Sequence, residues 1–330
     1  MLMINNDNDN VNPYHNLALE EYLLKEFTDE CFMLWKNSAS IIIGKNQNTL
    51  SEVNVEYVNA NKIPVVRRLS GGGAVFHDLG NLNFTFIIND MENSFINFKK
   101  FTLPIIEVLN KLSVNAELSG RNDLTIDGRK FSGNAQYKYK NRLLHHGTLL
   151  FSSNITDLSA ALNVNRSKFE GKSVKSVISR VTNISSHLKQ PLTIDEFKKE
   201  ITDHIMSKYE DCTLYNLTTN DIKAVNELVK EKYSTWEWNY GSSPAYNFRN
   251  QKKLAGGIIE ACLNVTNGYI KEIKFYGDFF SKQDIGDIEQ ALSGAKHDEE
   301  SMRQVLGNFD INDYFANITL EEIIGLILNF

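Results

Sequence analysis

Residues 67–81 read RRLSGGGAVFHDLGN, and three consecutive glycines in that setting dictate an irregular loop rather than a helix or a regular strand. Without Cβ atoms, Gly71, Gly72 and Gly73 can take positive φ and bring their N–H groups unshielded against a ligand. Successive N–H groups in such a turn form an anion-binding nest, and a guanidinium grips phosphate or carboxylate through two hydrogen bonds at once. With Arg67 and Arg68 just upstream and Ser70 and His77 alongside, the loop is expected to hold an anion. It is neither G-x-x-x-x-G-K-[ST] nor G-x-G-x-x-G, because position 76 is Phe. The flanks are β-like: Ile63-Pro64-Val65-Val66 is a short β-branched run, and Leu82 to Ile88 suits a buried strand. The glycines are thus expected to link two strands, the plain alternative being a long hairpin turn.

Hydrophobic content of 42% and charged content of 23% are those of a soluble globular chain, and 330 residues predict one large domain and a smaller one. The apolar runs are strand-sized, so no membrane span is expected, and the start MLMINNDNDNVN lacks the basic and apolar regions of a signal peptide. Cys31, Cys212 and Cys262 are scattered and odd in number, which predicts neither a disulfide framework nor a C-x-x-C metal site and fits a reducing cytoplasm. Net charge is −6, yet residues 121–180 hold eleven Lys and Arg (Arg121, Arg129, Lys130, Lys138, Lys140, Arg142, Arg166, Lys168, Lys172, Lys175, Arg180) against Asp123, Asp127, Asp157 and Glu170. Such a basic stretch suits nucleotide phosphates or an acidic protein, or it is an ordinary solvated face; the acidic chain as a whole argues against nucleic acid.

Helical spacing is expected from Asn16 to Phe27 and from Phe95 to Leu112, with Pro104 near the first turn of the latter, and a short helix from Ser51 to Asn61. Phe32 to Trp35 and Ile41 to Ile43 read as strands. Leu124–Ile126 and Arg129–Phe131 are joined by Asp127-Gly128, a type I′ hairpin signal, which puts Lys130 just past a rigid turn that can aim it. Thr193-x-x-Glu196 and Thr319-x-x-Glu322 have capping-box spacing and open helices through Ile205 and Leu328; Asn220 to Tyr233 is a further helix. The irregular stretch STWEWNYGSSPAYNF from Ser234 marks the domain junction. Beyond it, strands around Asn267-Gly268 and helices at Asp284–Leu292 and Glu299–Leu306 make a small α+β module.

The 67–81 segment resembles the lipoate–protein ligases, in which R-R-x-S-G-G-G-A-V-[FY]-H-D-x-G-N lines the pocket for lipoate and ATP. NPYHNLALEEYLL, WKNSASIIIGKNQN, SGRNDLTIDGRKFSGNAQ and HHGTLLF agree with that family in the same order. The resemblance implies an α/β (α+β) fold, with a large mixed-sheet biotin/lipoate-ligase-like catalytic domain over 1–245 and a smaller C-terminal α+β accessory domain over 246–330. It also implies a two-step activity: ATP activates free lipoate to lipoyl-AMP, and the lipoyl group passes to a lysine of a lipoyl-domain protein, a 2-oxoacid dehydrogenase E2 subunit or glycine-cleavage H protein.

Both transition states gather negative charge, so cations and fixed N–H donors are what the chemistry needs. The resemblance implies Lys130 as the catalytic residue, touching the lipoyl carbonyl and the α-phosphate, and a lysine, as a compact cation with three donors, suits electrostatic stabilisation. It implies ATP or adenylate binding by Arg68, Ser70, Gly71, Gly72, Gly73, Ala74, Val75, Phe76, His77, Asn81, Asn122, Asp123 and Lys130, and lipoate binding by Lys130, Arg68, Gly72, His146 and Gly147. Asp123 is the expected carboxylate for phosphate-bound Mg²⁺, or else a turn former. His145 and His146 lack metal-ligand spacing and are expected to be packed or hydrogen-bonded; Trp35, Val75, Gly147 and Leu149 are candidate lining for the acyl chain. Burial of methylenes separates lipoate poorly from octanoate, so both are expected substrates. A cysteine-dependent acyltransferase is the nearest rival, but no cysteine lies between Phe32 and Asp211. A biotin ligase, a non-catalytic sensor and a split adenylating enzyme are the other readings.

Overall fold

The computed structural model describes residues 1–6, 10–47, 49–53, 55–90, 94–154, 180–240 and 248–328. The junction expected at 245/246 lies outside these residues, as do Asp157, Arg166, Lys168, Glu170, Lys172 and Lys175 of the basic stretch. The chain divides into two units. One comprises Met1–Ile43, Leu50–Arg67 and Ala74–Asn239, and the other Gly44–Thr49, Arg68–Gly73 and Tyr240–Phe330.

In the first unit the apolar run after the glycines becomes β6 (Asn81–Asn89), near the middle of an eight-stranded sheet. The other strands are β1 (Leu2–Asn5), β2 (Cys31–Trp35), β7 (Ala116–Ser119), β8 (Asp123–Ile126), β9 (Arg129–Tyr139), β10 (Arg142–Leu150) and β11 (Thr213–Asn216), in the order β11-β1-β2-β6-β10-β9-β8-β7. The β1 pairings with β11 and β2 are parallel and the rest antiparallel, so the sheet is mixed. Alternation divides its residues between two faces. Phe32, Leu34, Leu82, Phe84, Phe86, Leu124, Phe131 and Leu149 meet α4 (Phe98–Lys111) and α5 (Ile194–Lys208) in the apolar core, to which those helices give Phe101, Ile105, Phe197 and Ile201. The opposite face carries Trp35, Asn83, Thr85, His146 and Thr148, with α1 (Pro13–Glu26) against it. Polar residues on a buried face are unusual and mark it as the side to search for function.

Several local expectations hold for identifiable reasons. Helix α1 starts at Pro13 because Asn12 caps it, its side chain accepting from the N–H groups of Tyr14 and His15. The Thr193–Glu196 capping box forms both its hydrogen bonds. Asp127 and Gly128 take φ of 51° and 72°, as a type I′ turn requires. Pro104, however, sits inside α4 rather than in its first turn, because the helix begins at Phe98. The helix expected over 51–61 is two short ones, α2 (Thr49–Glu52) and α3 (Val55–Ala60).

A second small sheet corrects the reading of the glycine loop. Strands β3 (Ser40–Ile43), β4 (Val65–Arg67) and β5 (Val75–His77) lie in the order β4-β3-β5, with β3 parallel to β4 and antiparallel to β5. The glycines connect β4 to β5, a strand not read from the sequence, and the two are separated by β3. A hairpin turn is thereby excluded.

In the second unit β12 (Phe248–Leu254), β13 (Gly257–Thr266) and β14 (Tyr269–Gly277) form an antiparallel sheet. Its core joins Ile259, Ala261, Leu263 and Phe275 to residues of α8 (Ile285–Leu292), α9 (Glu299–Leu306), α10 (Ile311–Tyr314) and α11 (Leu320–Leu328). Among the described residues no helix is long and apolar enough to cross a membrane.

Candidate active site

Lys130 owes its direction to a bulge. Asp123 pairs with Gly133 and Leu124 with Ser132, but Thr125 pairs with Lys130, so Phe131 is an extra residue on β9. Lys130 and Gly133 are three apart and would face opposite sides of a regular strand. The bulge turns Phe131 into the core and leaves Lys130 on the polar face with Asp123 and Gly133. Lys130 Nζ there lies 2.8 Å from Asp123 Oδ1, both side chains about two-fifths exposed. A Cβ on Gly133 would come within 3.1 Å of Nζ and 3.2 Å of Cε, so the glycine makes the floor on which the lysine lies. The Gly133 N–H donates to Thr148 Oγ1 at 3.2 Å.

Asn122 is engaged with the scaffold. Its Nδ2 donates to the Asn134 carbonyl at 2.5 Å, and Asn134 Nδ2 donates back to the Asn122 carbonyl at 3.0 Å. Further along the polar face, His146 Nδ1 donates to Glu20 of α1 at 3.0 Å, Thr85 Oγ1 donates to the same carboxylate at 2.5 Å, and Trp35 Nε1 donates to Thr85 Oγ1 at 2.9 Å. All four side chains are buried. His77 Nδ1 accepts from Asn37 Nδ2 at 3.1 Å, and Asn37 Oδ1 accepts from Asn16 of α1 at 2.9 Å. Asn81 Nδ2 donates to Asn83 Oδ1 at 2.9 Å, while Asn81 Oδ1 and Asn83 Nδ2, both buried, have no hydrogen-bond partner among the described residues. Such groups are expected to meet a water or a ligand.

His145 faces the core. It stacks on Phe101 with centroids 4.6 Å apart, accepts from Gln136 Nε2 on Nδ1 and donates from Nε2 to Asn134 Oδ1 at 3.3 Å. Burial, with the neighbouring His146, holds its pKa well below the usual imidazole value, so it is neutral. Gly147 has no room for a side chain: a Cβ would stand 2.2 Å from Asn134 Oδ1 and 2.5 Å from the Phe84 ring.

In the second unit, Arg68 organises its own loop. Its Nη2 donates to the carbonyls of Gly71 (2.7 Å) and Gly73 (2.9 Å), and its Nε to Ser70 Oγ (3.1 Å). With those carbonyls turned to the guanidinium, the N–H groups of Gly71, Gly72 and Gly73 donate no hydrogen bond to any described residue. Gly72 has φ +91°, and a Cβ on Gly71 would be 2.4 Å from the Phe279 carbonyl oxygen, so two of the three glycines are required by geometry. The result is a glycine loop whose shape is set by a buried guanidinium.

Sequence reasoning missed a clasp at Arg67. Arg67 Nε and Nη2 donate to the carbonyls of Trp238 (3.0 Å) and Asn239 (3.2 Å) of α7 (Trp236–Asn239), its N–H donates to Asn239 Oδ1 (2.9 Å), and Trp238 Nε1 donates to its carbonyl (2.8 Å). Lys232, in the π-helical turn Val229–Tyr233 after α6 (Thr219–Leu228), sits 3.9 Å from the Trp238 ring centroid and 2.7 Å from Glu21. The first of two adjacent arginines is thus a structural one, which the RR pair gives no sign of.

For a divalent cation the donor set is small. Among the described residues no three His, Cys, Asp or Glu side chains gather, and Asp123 already faces Lys130. That set suits Mg²⁺ arriving on phosphates, which needs only one or two protein carboxylates, and does not suit a resident metal.

Residues 12–206 match the family described as Lipoyl protein ligase A/B catalytic domain, and residues 243–327 match Bacterial lipoate protein ligase C-terminus. The chain is 47% identical to lipoate-protein ligase LplJ of Bacillus subtilis and 47% identical to lipoate–protein ligase 1 of Staphylococcus aureus, in each case over 99% of this chain and 100% of the relative. Among solved structures it is similar to P. falciparum LipL1 in complex with lipoate (TM-score 0.83, 28% identity, 100% of this chain and 99% of that one). It is also similar to the bipartite lipoate protein ligase of Thermoplasma acidophilum, studied with its E2 lipoyl domain (0.65, 29%, 75% and 98%), and to a lipoate-protein ligase A bound with ATP (0.61, 28%, 70% and 94%). The family models and the relatives define an enzyme of the ligase class. The chain belongs to the lipoate–protein ligase family.

Proposed function

We propose that this enzyme activates lipoate with ATP to lipoyl-AMP and transfers the lipoyl group to a lysine of lipoyl-domain proteins, E2 subunits or H protein, in the cytoplasm. In the first step a lipoate carboxylate oxygen bonds to the α-phosphorus and the bond to the β-phosphate breaks, releasing pyrophosphate. In the second, the acceptor amine attacks the acyl carbon, its proton leaves, and AMP departs with the C–O electron pair. The observation that supports this reading most is Lys130, aimed by a bulge from a rigid hairpin onto a polar sheet face and held beside Asp123 over Gly133.

Lys130 is the catalytic residue. Its ammonium stabilises charge first on the α-phosphate and then on the carbonyl oxygen. Gly71 to Gly73 and Ala74 offer backbone donors, Val75 and Phe76 flank the adenylate from β5, and Arg68 and Ser70 hold the loop in shape. His77, Asn81, Asn122 and Asp123 serve the adenylate, Asn122 through the Asn134 backbone. Lys130, Arg68, Gly72, His146 and Gly147 serve lipoate. Asp123 would hold Mg²⁺, which neutralises phosphate charge when bound. The domain division follows 1–245 as catalytic and 246–330 as accessory. ATP and lipoate as ligands, and a lipoyl domain as partner, are supported by what the similar structures contain. Octanoate is accepted and butyrate rejected, since each buried methylene is worth about 0.8 kcal/mol.

A thioester route is poorly served by these cysteines: all three are free thiols, and burial pushes Cys31 and Cys262 up to about 12 and Cys212 upward. The test is the intact mass of an unmodified lipoyl domain after incubation with enzyme, lipoate, ATP and Mg²⁺. One lipoyl group added, only with ATP, supports the reading. Transfer without ATP from an acylated carrier protein overturns it.

A further inference from the structure

The backbone of Lys130 is held from a second direction, by residues whose side chains lead back to its own hairpin. Lys130 pairs with Val181 as a parallel bridge: its N–H donates to the Arg180 carbonyl at 2.8 Å, and its carbonyl accepts from the Thr182 N–H at 2.9 Å. β9 is therefore not an edge at this point, and Lys130, next to the bulge, lies between β8 on one side and residues 180–182 on the other. Thr182, buried, shares a hydrogen bond between its Oγ1 and His187 Nε2 at 2.9 Å. His187 lies in the 3₁₀ turn Ile184–His187, and its Nδ1 faces Asp127 Oδ2 at 3.7 Å. Asp127 is the first turn residue of the hairpin that ends at Lys130. The contacts run from the Lys130 backbone through Thr182 to His187, which stands beside the exposed Asp127 carboxylate without a hydrogen bond to it.

A bulge alone leaves a residue freer to pivot, because the ladder is locally interrupted there. Catalytic side chains need to be held within about 0.5 Å of their productive position, by neighbours whose own geometry is fixed. Thr182 and His187 are well suited to that work. Both side chains are engaged with each other rather than with Lys130 Nζ, Thr182 through Oγ1 and His187 through Nε2.

We propose that Thr182 and His187 are positioning residues for Lys130, fixing residues 180–182, which hold its backbone, so that the lysine beside the bulge keeps one direction. The inference rests on the reading that Lys130 does the chemistry. It assigns to two side chains outside the glycine loop and the GRKFSGNA segment a share in the rate, and none in binding lipoate or ATP.

The experiment is steady-state kinetics of lipoate-dependent pyrophosphate–ATP exchange on the full chain. The variants are Thr182→Val, Thr182→Ser, His187→Ala and His187→Gln, with Thr182→Val also made together with Lys130→Ala. Thr182→Val keeps size and the backbone N–H but removes the hydroxyl, and His187→Gln can place a hydrogen-bonding amide where Nε2 stood. The expected result is a fall in kcat of about tenfold for Thr182→Val and His187→Ala with KM for both substrates unchanged, restored by Thr182→Ser and partly by His187→Gln. Beside Lys130→Ala, the Thr182→Val loss should vanish, because there is no longer a cation to misplace. A Thr182→Val loss that persists in full beside Lys130→Ala, a rise in KM with kcat constant, or wild-type kcat for both Thr182→Val and His187→Ala would overturn the proposal. Wild-type exchange by Lys130→Ala alone would instead remove the reading on which it rests, so the two failures are told apart.

Discussion

Replacing Gly133 by alanine separates the position of Lys130 from the stability of the sheet. Carbon and nitrogen atoms rest about 3.5–4.0 Å apart, so a Cβ at 3.1 Å from Nζ and 3.2 Å from Cε forces the end of Lys130 to move by about 0.4 Å or more. What must yield is the tip of a flexible side chain, which moves at little energetic expense. Gly133 has no positive φ, and its N–H to Thr148 survives the change, so alanine is tolerated by the backbone and gains about 0.5–1 kcal/mol from reduced chain entropy. Folding stability should stay level or rise slightly. Activity should not: a shift of that size at a charge-stabilising group corresponds to about 1 kcal/mol or more in the barrier, roughly a tenfold loss of kcat. Valine should lose about a hundredfold. The assay is pyrophosphate exchange beside urea unfolding of the same preparations. Wild-type kcat in both variants, or losses that only track a fall in stability, would refute the argument that Gly133 is small in order to seat Lys130.

Four other outcomes are expected. Gly147→Ala should destabilise the first unit by about 2–3 kcal/mol through collision with Asn134 Oδ1 and Phe84 and strain on the His145 hydrogen bond, read from urea midpoints. Arg67→Met should lose about 2 kcal/mol and increase amide exchange at Trp238 and Asn239, since the hydrogen bonds from its side chain to their carbonyls disappear. Burial raises the Asp221 carboxyl pKa, but hydrogen bonds from Tyr22, Thr218 and Tyr215 outweigh it and leave the pKa lowered; its stabilisation is therefore present above the unfolded carboxylate range and lost as pH falls through the folded pKa. Asp221→Asn should accordingly be less stable than wild type near neutrality, the difference fading below about pH 4 in urea titrations. Replacing all three cysteines by serine should leave kcat for acceptor lipoylation within about twofold, whereas its abolition would revive a thioester route.

The elements legible in the sequence were those fixed by neighbours in the chain. Asp127-Gly128 forms its turn because both residues must take positive φ, and Thr193 caps α5 because Glu196 is three residues on. The direction of Lys130 was legible only as far as its hairpin. The bulge depends on Thr125 pairing with Lys130 while Leu124 pairs with Ser132, a register that no local pattern specifies. The strand β12, FRNQKKL, is too polar to be read as a strand and exists because β13 supplies its hydrogen bonds. The Glu20–His146 contact spans 126 residues, and the clasp from Arg67 to Trp238 spans 171, so neither leaves a spacing to find. The residue types of the glycine loop raise the expectation of a bound anion, whereas that Arg68 binds the loop's own carbonyls is a fact of folded geometry.

The central claim is that Lys130 stabilises the formation of an acyl-adenylate, and lipoate-dependent exchange of labelled pyrophosphate into ATP, with Mg²⁺ and no acceptor protein, tests it most directly. The account predicts exchange by the wild-type enzyme and a loss of about 10²–10³-fold in Lys130→Ala, the usual effect of removing one charge-stabilising donor. Absence of exchange in the wild type, or undiminished exchange in Lys130→Ala, would contradict it.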